Sequence, residues 1–175
     1  MSHEQNSSKI ARRKFLATGL GLIVGLFTLS SFKSIENKKE IPIKNKKNMK
    51  KKIISTTNAP SAIGPYSQAI LVNGFLYTSG QICINPATNE LVMTNIQDET
   101  HQVMKNLKSI LTEAEMTFEN VIKTSIFLQS MNDFQAVNEV YASYFKSDFP
   151  ARETVEVAKL PKGVNVEISM IGVEG

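Results

Sequence analysis

Pro150-Ala151-Arg152 places a guanidinium directly after a turn, at the start of a run that reads as a strand. Val166-Glu167-Ile168 places a lone carboxylate between two β-branched residues in the last strand. An arginine at a strand edge can grip a planar carboxylate through two parallel hydrogen bonds, a geometry lysine cannot supply. A carboxylate nearby can hold a water molecule and take its proton as general base. Arginine plus glutamate, without nucleophile or metal, suits addition of water to an already reactive C=N bond. An unactivated amide needs more. Ile63-Gly64-Pro65-Tyr66 and Thr78-Ser79-Gly80-Gln81 supply glycines where backbone can approach a ligand closely. On pattern alone a blander reading stays open: Arg152 in a structural ion pair, and Glu167 as one outward-facing position of an alternating strand.

Composition narrows the alternatives. The chain has one cysteine, Cys83, so an intrachain disulfide and a cysteine-built zinc site are both excluded. His3 and His101 are far apart, and no group of carboxylates has ligand-like spacing, so no metal centre is expected. The net charge of +4 hides a split between two regions. Residues 1–52 hold 13 Lys/Arg against 3 Asp/Glu, whereas residues 53–175 hold 7 against 13 and carry −6. The basicity belongs to the N-terminal part. An acidic domain without a basic, aromatic-studded face speaks against nucleic acid as partner and against a ribonuclease.

The elements that must carry these residues can be read from periodicity. Ile53-Ile54-Ser55-Thr56 reads as a first strand, Gln68–Val72 as a second and Phe75–Ile82 as a third. The pair Asn73-Gly74 between the last two is a hairpin signal that sets them antiparallel. From Asn95 the period changes: Ile96, Thr100, Val103, Met104, Leu107, Ile110, Leu111 and Ala114 mark an amphipathic helix. Val121–Leu128 is a strand, and Phe134, Val137, Tyr141, Tyr144 and Phe145 mark a second helix. Strands around Glu153–Ala158 and Val164–Val173 close the chain, separated by Leu160-Pro161-Lys162-Gly163. The order β-β-β-α-β-α-β-β predicts an α+β domain, one mixed sheet with both helices on one face. The Met and aromatic stripes of the helices are expected in the core. The other sheet face then stays apolar and uncovered, which argues for self-association.

Residues 1–32 read differently. Arg12-Arg13-Lys14-Phe15-Leu16 leads into a charge-free run from Phe15 to Phe32, an apolar helix outside the domain. Basic residues ahead of such a run form a secretion signal, and the paired arginines resemble the twin-arginine type. The 18-residue run is at the lower edge of what spans a bilayer, and the nearest cleavage site, Thr28-Leu29-Ser30, is poor. Both a cleaved signal peptide and an uncleaved anchor with membrane association through residues 15–32 fit, with the domain periplasmic or facing outward. Residues 33–52 form a lysine-rich linker. Translation from Met49 would instead leave the domain, residues 53–175, in the cytoplasm.

Residues 53–175 resemble the RidA branch of the Rid (YjgF) family. The resemblance runs through Asn58-Ala59-Pro60, Ile63-Gly64-Pro65-Tyr66-Ser67-Gln68-Ala69, Thr78-Ser79-Gly80-Gln81-Ile82 and Asn85-Pro86. It continues through Asn132-Asp133-Phe134, Val137-Asn138, Tyr141 and Phe149-Pro150-Ala151-Arg152, then from Val155 to Gly163 and Val166-Glu167-Ile168. It implies a chorismate-mutase-like fold and a homotrimer with clefts between subunits. It implies hydrolysis of small 2-imino acids, such as 2-iminopropanoate and 2-iminobutanoate, to the 2-oxo acid and ammonia without cofactor. Carried over by position, Arg152 binds the substrate carboxylate and Glu167 orients and activates water. Tyr66 lines the cleft, Gly80 and Thr154 offer backbone groups, and Asn132 lies near it. Two departures stand out: Glu153 occupies a position that is usually small, and Thr154 one that is cysteine in some members. Strand alternation should turn Glu153 away from Arg152. The alternative function is a non-catalytic binder of small carboxylate metabolites using the same cleft.

Overall fold

The computed structural model describes residues 50–175. The signal or anchor expected over residues 1–32 and all but the last three residues of the lysine-rich linker lie outside them. Among the described residues no helix is long and apolar enough to cross a membrane. The elements follow in the expected order: β1 (Lys52–Ile54), β2 (Ala69–Val72), β3 (Phe75–Thr78), α1 (Ile96–Glu113), β4 (Val121–Leu128), α2 (Phe134–Ala142), β5 (Ala151–Glu156) and β6 (Val166–Val173). They build one α+β unit around a six-stranded sheet of spatial order β1-β2-β3-β6-β4-β5. Only β4 and β5 are parallel neighbours, and α2 is the crossover that such a pair requires. Both β3 and β4 run antiparallel to β6, which lies between them. Lys52, expected in the linker, opens β1.

Local chemistry explains the boundaries. Asn73 and Gly74 take φ of 52° and 81°, the positive values that a tight two-residue hairpin turn demands, and Val72 pairs with Phe75 across it. Asn95 caps α1: its side chain accepts from the Asp98 backbone N–H at 2.8 Å and donates to the Asp98 carboxylate at 2.9 Å. The third strand stops at Thr78 instead of running to Ile82. The ladder to β6 breaks at Ser79-Gly80, where the Thr78 hydroxyl accepts the Met170 N–H at 2.8 Å, and resumes as a single bridge between Gln81 and Ile168. The second helix ends at Ala142. Tyr144 and Phe145 follow in tighter turns, their N–H groups reaching back three residues to Tyr141 and Ala142.

Burial alternates along the two central strands. Val121, Thr124, Ile126 and Leu128 of β4 and Val166, Ile168 and Met170 of β6 point under α1 and α2 into the core. Val103, Met104, Leu107, Ile110 and Leu111 of α1 complete it, as the sequence stripe requires. The opposite sheet face has no covering layer among the described residues and carries Ile53, Phe75, Tyr77 and Val155, all at least 40% exposed. Cys83 is fully buried. Burial, reinforced by the negative charge of Glu99, pushes its thiol up to about 12.

Candidate active site

Two hollows carry most of the residues singled out by the sequence. The first, of about 270 Å³, is lined by Pro60, Ile63, Tyr66, Gly80, Pro161 and Glu167, among others. Its loops are held from within by buried amides. Gln68, at the head of β2, donates to the carbonyls of Thr56, Ala59 and Pro60 at 2.8–3.2 Å and accepts from the Thr56 N–H at 2.7 Å. Asn106 of α1 donates to the carbonyls of Ile82 and Ile84 at 3.0 and 2.9 Å. The Tyr66 ring folds back over its own loop, its hydroxyl accepting the Ile63 N–H at 3.2 Å. Glu167 reaches in from β6 and lies against Gly80: a Cβ built there would meet the Glu167 Oε1 at 1.9 Å. Only glycine leaves room for the carboxyl in that position. Burial pushes the Glu167 carboxyl above the usual carboxylate range.

The second hollow, of about 350 Å³, is lined by Asn138, Tyr141, Ala142, Phe149, Pro150 and Arg152. Arg152 donates from Nη1 to Asn138 Oδ1 at 2.7 Å, and its Cζ stands 5.1 Å from the centroid of the Tyr141 ring and 5.9 Å from that of Phe134. A guanidinium held by one amide oxygen and two aromatic faces keeps further N–H donors for a ligand. The Tyr141 hydroxyl, pushed up by burial, donates to Thr124 Oγ1 at 3.1 Å and fixes the ring. Thr154 lies two residues along β5 on the same side as Arg152. Its Oγ1 is buried and, among the described residues, has no hydrogen-bond partner. Because β5 is the edge of the sheet, this hollow opens sideways.

The sheet separates the two hollows. Arg152 pairs with Thr124 on β4, while Glu167 pairs with Phe127. Residues opposite each other share a face, and positions three apart on one strand do not. Arg152 and Thr154 therefore stand on the helix side, Glu167 on the open side. Tyr66, Gly80 and Glu167 come together, Arg152 and Thr154 come together, and one chain does not join the two groups. Asn132 sits exposed in the turn Met131–Asp133 and lines neither hollow. The asparagine that touches Arg152 is Asn138, one helical turn before Tyr141, a spacing that could have marked it. Glu153 points away from Arg152, as alternation requires. Its carboxylate bonds Lys123 and Ser125 on the open face, and these hold it below the usual range.

Known proteins resemble this chain over the same region. The family model described as Endoribonuclease L-PSP matches residues 56–174. A human protein named 2-iminobutanoate/2-iminopropanoate deaminase is 48% identical over 125 residues, covering 71% of this chain and 91% of its own length. The crystal structure of YyfA, a Rid-family protein of Yersinia pestis, superposes with a TM-score of 0.70 at 53% identity, over 71% of this chain and all of that one. Escherichia coli TdcF, solved with bound serine, gives a TM-score of 0.69 at 39% identity, over 71% of this chain and 99% of that one.

Proposed function

The chain belongs to the Endoribonuclease L-PSP (Rid/YjgF) family, and from that membership and its two half-sites we propose that it deaminates small 2-imino acids hydrolytically. The substrates are 2-iminopropanoate, with its enamine tautomer 2-aminoacrylate, and 2-iminobutanoate. The observation that carries the reading is the division of labour between the hollows: one offers a held guanidinium, the other a half-buried carboxylate in an apolar pocket. Two copies of the chain complete one site. The uncovered sheet face and the open edge of β5 support such assembly, and the family resemblance supports a chorismate-mutase-like homotrimer. Export or anchoring by residues 1–32 belongs to the same reading and rests on sequence alone.

The chemistry follows from the groups. Arg152 binds the substrate carboxylate through paired N–H donors. Glu167 takes a proton from water as the oxygen bonds to the imine carbon, and the C=N electron pair moves to nitrogen. The protonated Glu167 returns its proton to that nitrogen, giving a carbinolamine. The carboxylate then takes the hydroxyl proton and passes it to the same nitrogen, so that the C–N bond breaks and ammonia leaves as the C=O bond of the 2-oxo acid forms. Water is consumed and no cofactor is needed. Tyr66 and the apolar wall of Ile63, Ile82 and Ile84 enclose the small side chain and keep bulk water out.

Mixing two inactive variants tests the arrangement. If each site takes Arg152 from one copy and Glu167 from the next, random assembly of equal amounts of Arg152→Ala and Glu167→Gln leaves about a quarter of the sites with both groups intact. Hydrolysis by the mixture is expected at about that fraction of the wild-type rate, from parents that are each nearly inactive. A mixture no faster than its parents rules out the shared site.

Gly80→Ala is expected to fold normally and lose about 10- to 100-fold in kcat, because the new methyl displaces the Glu167 carboxyl by an ångström or more. A variant with wild-type kcat would show that the contact between Glu167 and Gly80 is not used in turnover.

A further inference from the structure

Glu99 is a carboxylate with no exposure, on the core side of α1, yet it takes no part in the chemistry above. Burying such a group is costly unless its oxygens are satisfied, and a leucine would fill a helix–sheet core more simply. Its partners lie 66 and 67 residues away. Oε1 accepts the backbone N–H of Asn165 at 2.6 Å and that of Val166 at 3.3 Å, and Oε2 accepts Asn165 Nδ2 at 2.9 Å. Those two residues immediately precede Glu167.

The chain needs a fastener at this point. The turn before it carries Lys162 and Gly163 at φ of 56° and 73° and lends Pro161 to the first hollow. Beyond it, the ladder between β3 and β6 has shrunk to the bridge at Gln81 and Ile168, so the sheet itself gives Glu167 little support on the Gly80 side. Two turns further along α1, Asn106 holds the opposite wall through the carbonyls of Ile82 and Ile84. The polarity is matched at each of the two helical positions: an NH₂ group for the carbonyls, a carboxylate for the N–H groups. One rigid element thus spans both walls of the hollow.

We propose that Glu99 is a positioning residue, which holds Glu167 against Gly80 by gripping the backbone just before it. The inference rests on the reading of Glu167 as the base. Glu99→Gln keeps the shape but removes the charge and leaves one acceptor oxygen where two served three donors, so the grip on Asn165 and Val166 is weakened. It is expected to lower kcat about tenfold and to leave KM within about twofold, since Arg152 still binds the substrate carboxylate. Asn165→Ala removes the Nδ2 bond alone and is expected to lower kcat about threefold; it carries the same comparison if Glu99→Gln does not fold.

Glu167→Asp separates positioning from general loosening. It keeps a base but withdraws it from Gly80, so adding Glu99→Gln to it should cost less than about twofold more, whereas a merely structural role would multiply the two losses. Full activity of Glu99→Gln and Asn165→Ala, or multiplied losses in the double variant, overturns the role of Glu99 and leaves the deaminase reading standing. A wild-type protein that hydrolyses no imine overturns both.

Discussion

Arg152→Ala is expected to lower kcat/KM for freshly generated 2-aminoacrylate by on the order of a thousandfold, with the assembly intact. Removing one partner of a desolvated, hydrogen-bonded charge pair costs about 4 kcal/mol, and the substrate carboxylate would be left in the site without its counter-charge. The fold should tolerate the loss. Arg152 belongs to an edge strand, is partly exposed, and leaves behind an Asn138 that water can reach. Arg152→Lys should recover only part of the activity, because an ammonium neither forks onto a carboxylate nor lies as a plane between Tyr141 and Phe134. The measurement is release of 2-oxo acid and ammonia above the spontaneous rate, with sedimentation as the control for assembly. Undiminished turnover by Arg152→Ala would remove the assignment. Tight binding of 2-oxobutanoate by the wild-type protein, with no turnover, would favour a carboxylate-binding module instead.

Glu167→Gln is expected to lower kcat by about 10²- to 10³-fold, within the range of a lost general base. The base works only when ionised, so wild-type kcat should fall as pH drops through the Glu167 pKa. Burial raises that pKa, and the acid limb should therefore lie above the usual carboxylate range. The residual activity of Glu167→Gln should show no such limb. The same shift has a sign for stability. A carboxyl raised on folding favours the folded state most below its unfolded pKa, and that contribution is lost as pH rises through the folded value. At neutral pH the buried charge is therefore a burden, and Glu167→Gln should melt no lower than wild type. A kcat profile without an acid limb in the wild type, or a marked loss of melting temperature in the variant, would contradict the role given to this carboxyl.

Much of this was legible in the chain. Asn73-Gly74, the Asn95 cap and the β-branched run Val121–Leu128 each act through neighbours a few residues away, and each stands where local chemistry put it. What escaped depends on pairing at long range. That Arg152 and Glu167 fall on opposite faces follows from their partners on β4, Thr124 and Phe127, and neither strand announces its partner. The break in the β3–β6 ladder lies where Gly80 meets Glu167 and Thr78 meets Met170, partners 87 and 92 residues later that no local window contains. Asn138 and Glu99 read as ordinary polar positions on helices until their partners are in place. The resemblance places Asn132 near the cleft, whereas the asparagine bonded to Arg152 is Asn138, within α2.

The burial of Cys83 bears on what the protein can survive. With its pKa near 12, the sole sulfhydryl of the chain is ionised in on the order of one molecule in 10⁵ at neutral pH, and no solvent reaches it. Oxidants and electrophiles such as Michael acceptors modify cysteine chiefly where its thiolate is accessible. With its one thiol sealed in the core, the domain offers such reagents no cysteine to alkylate or oxidise.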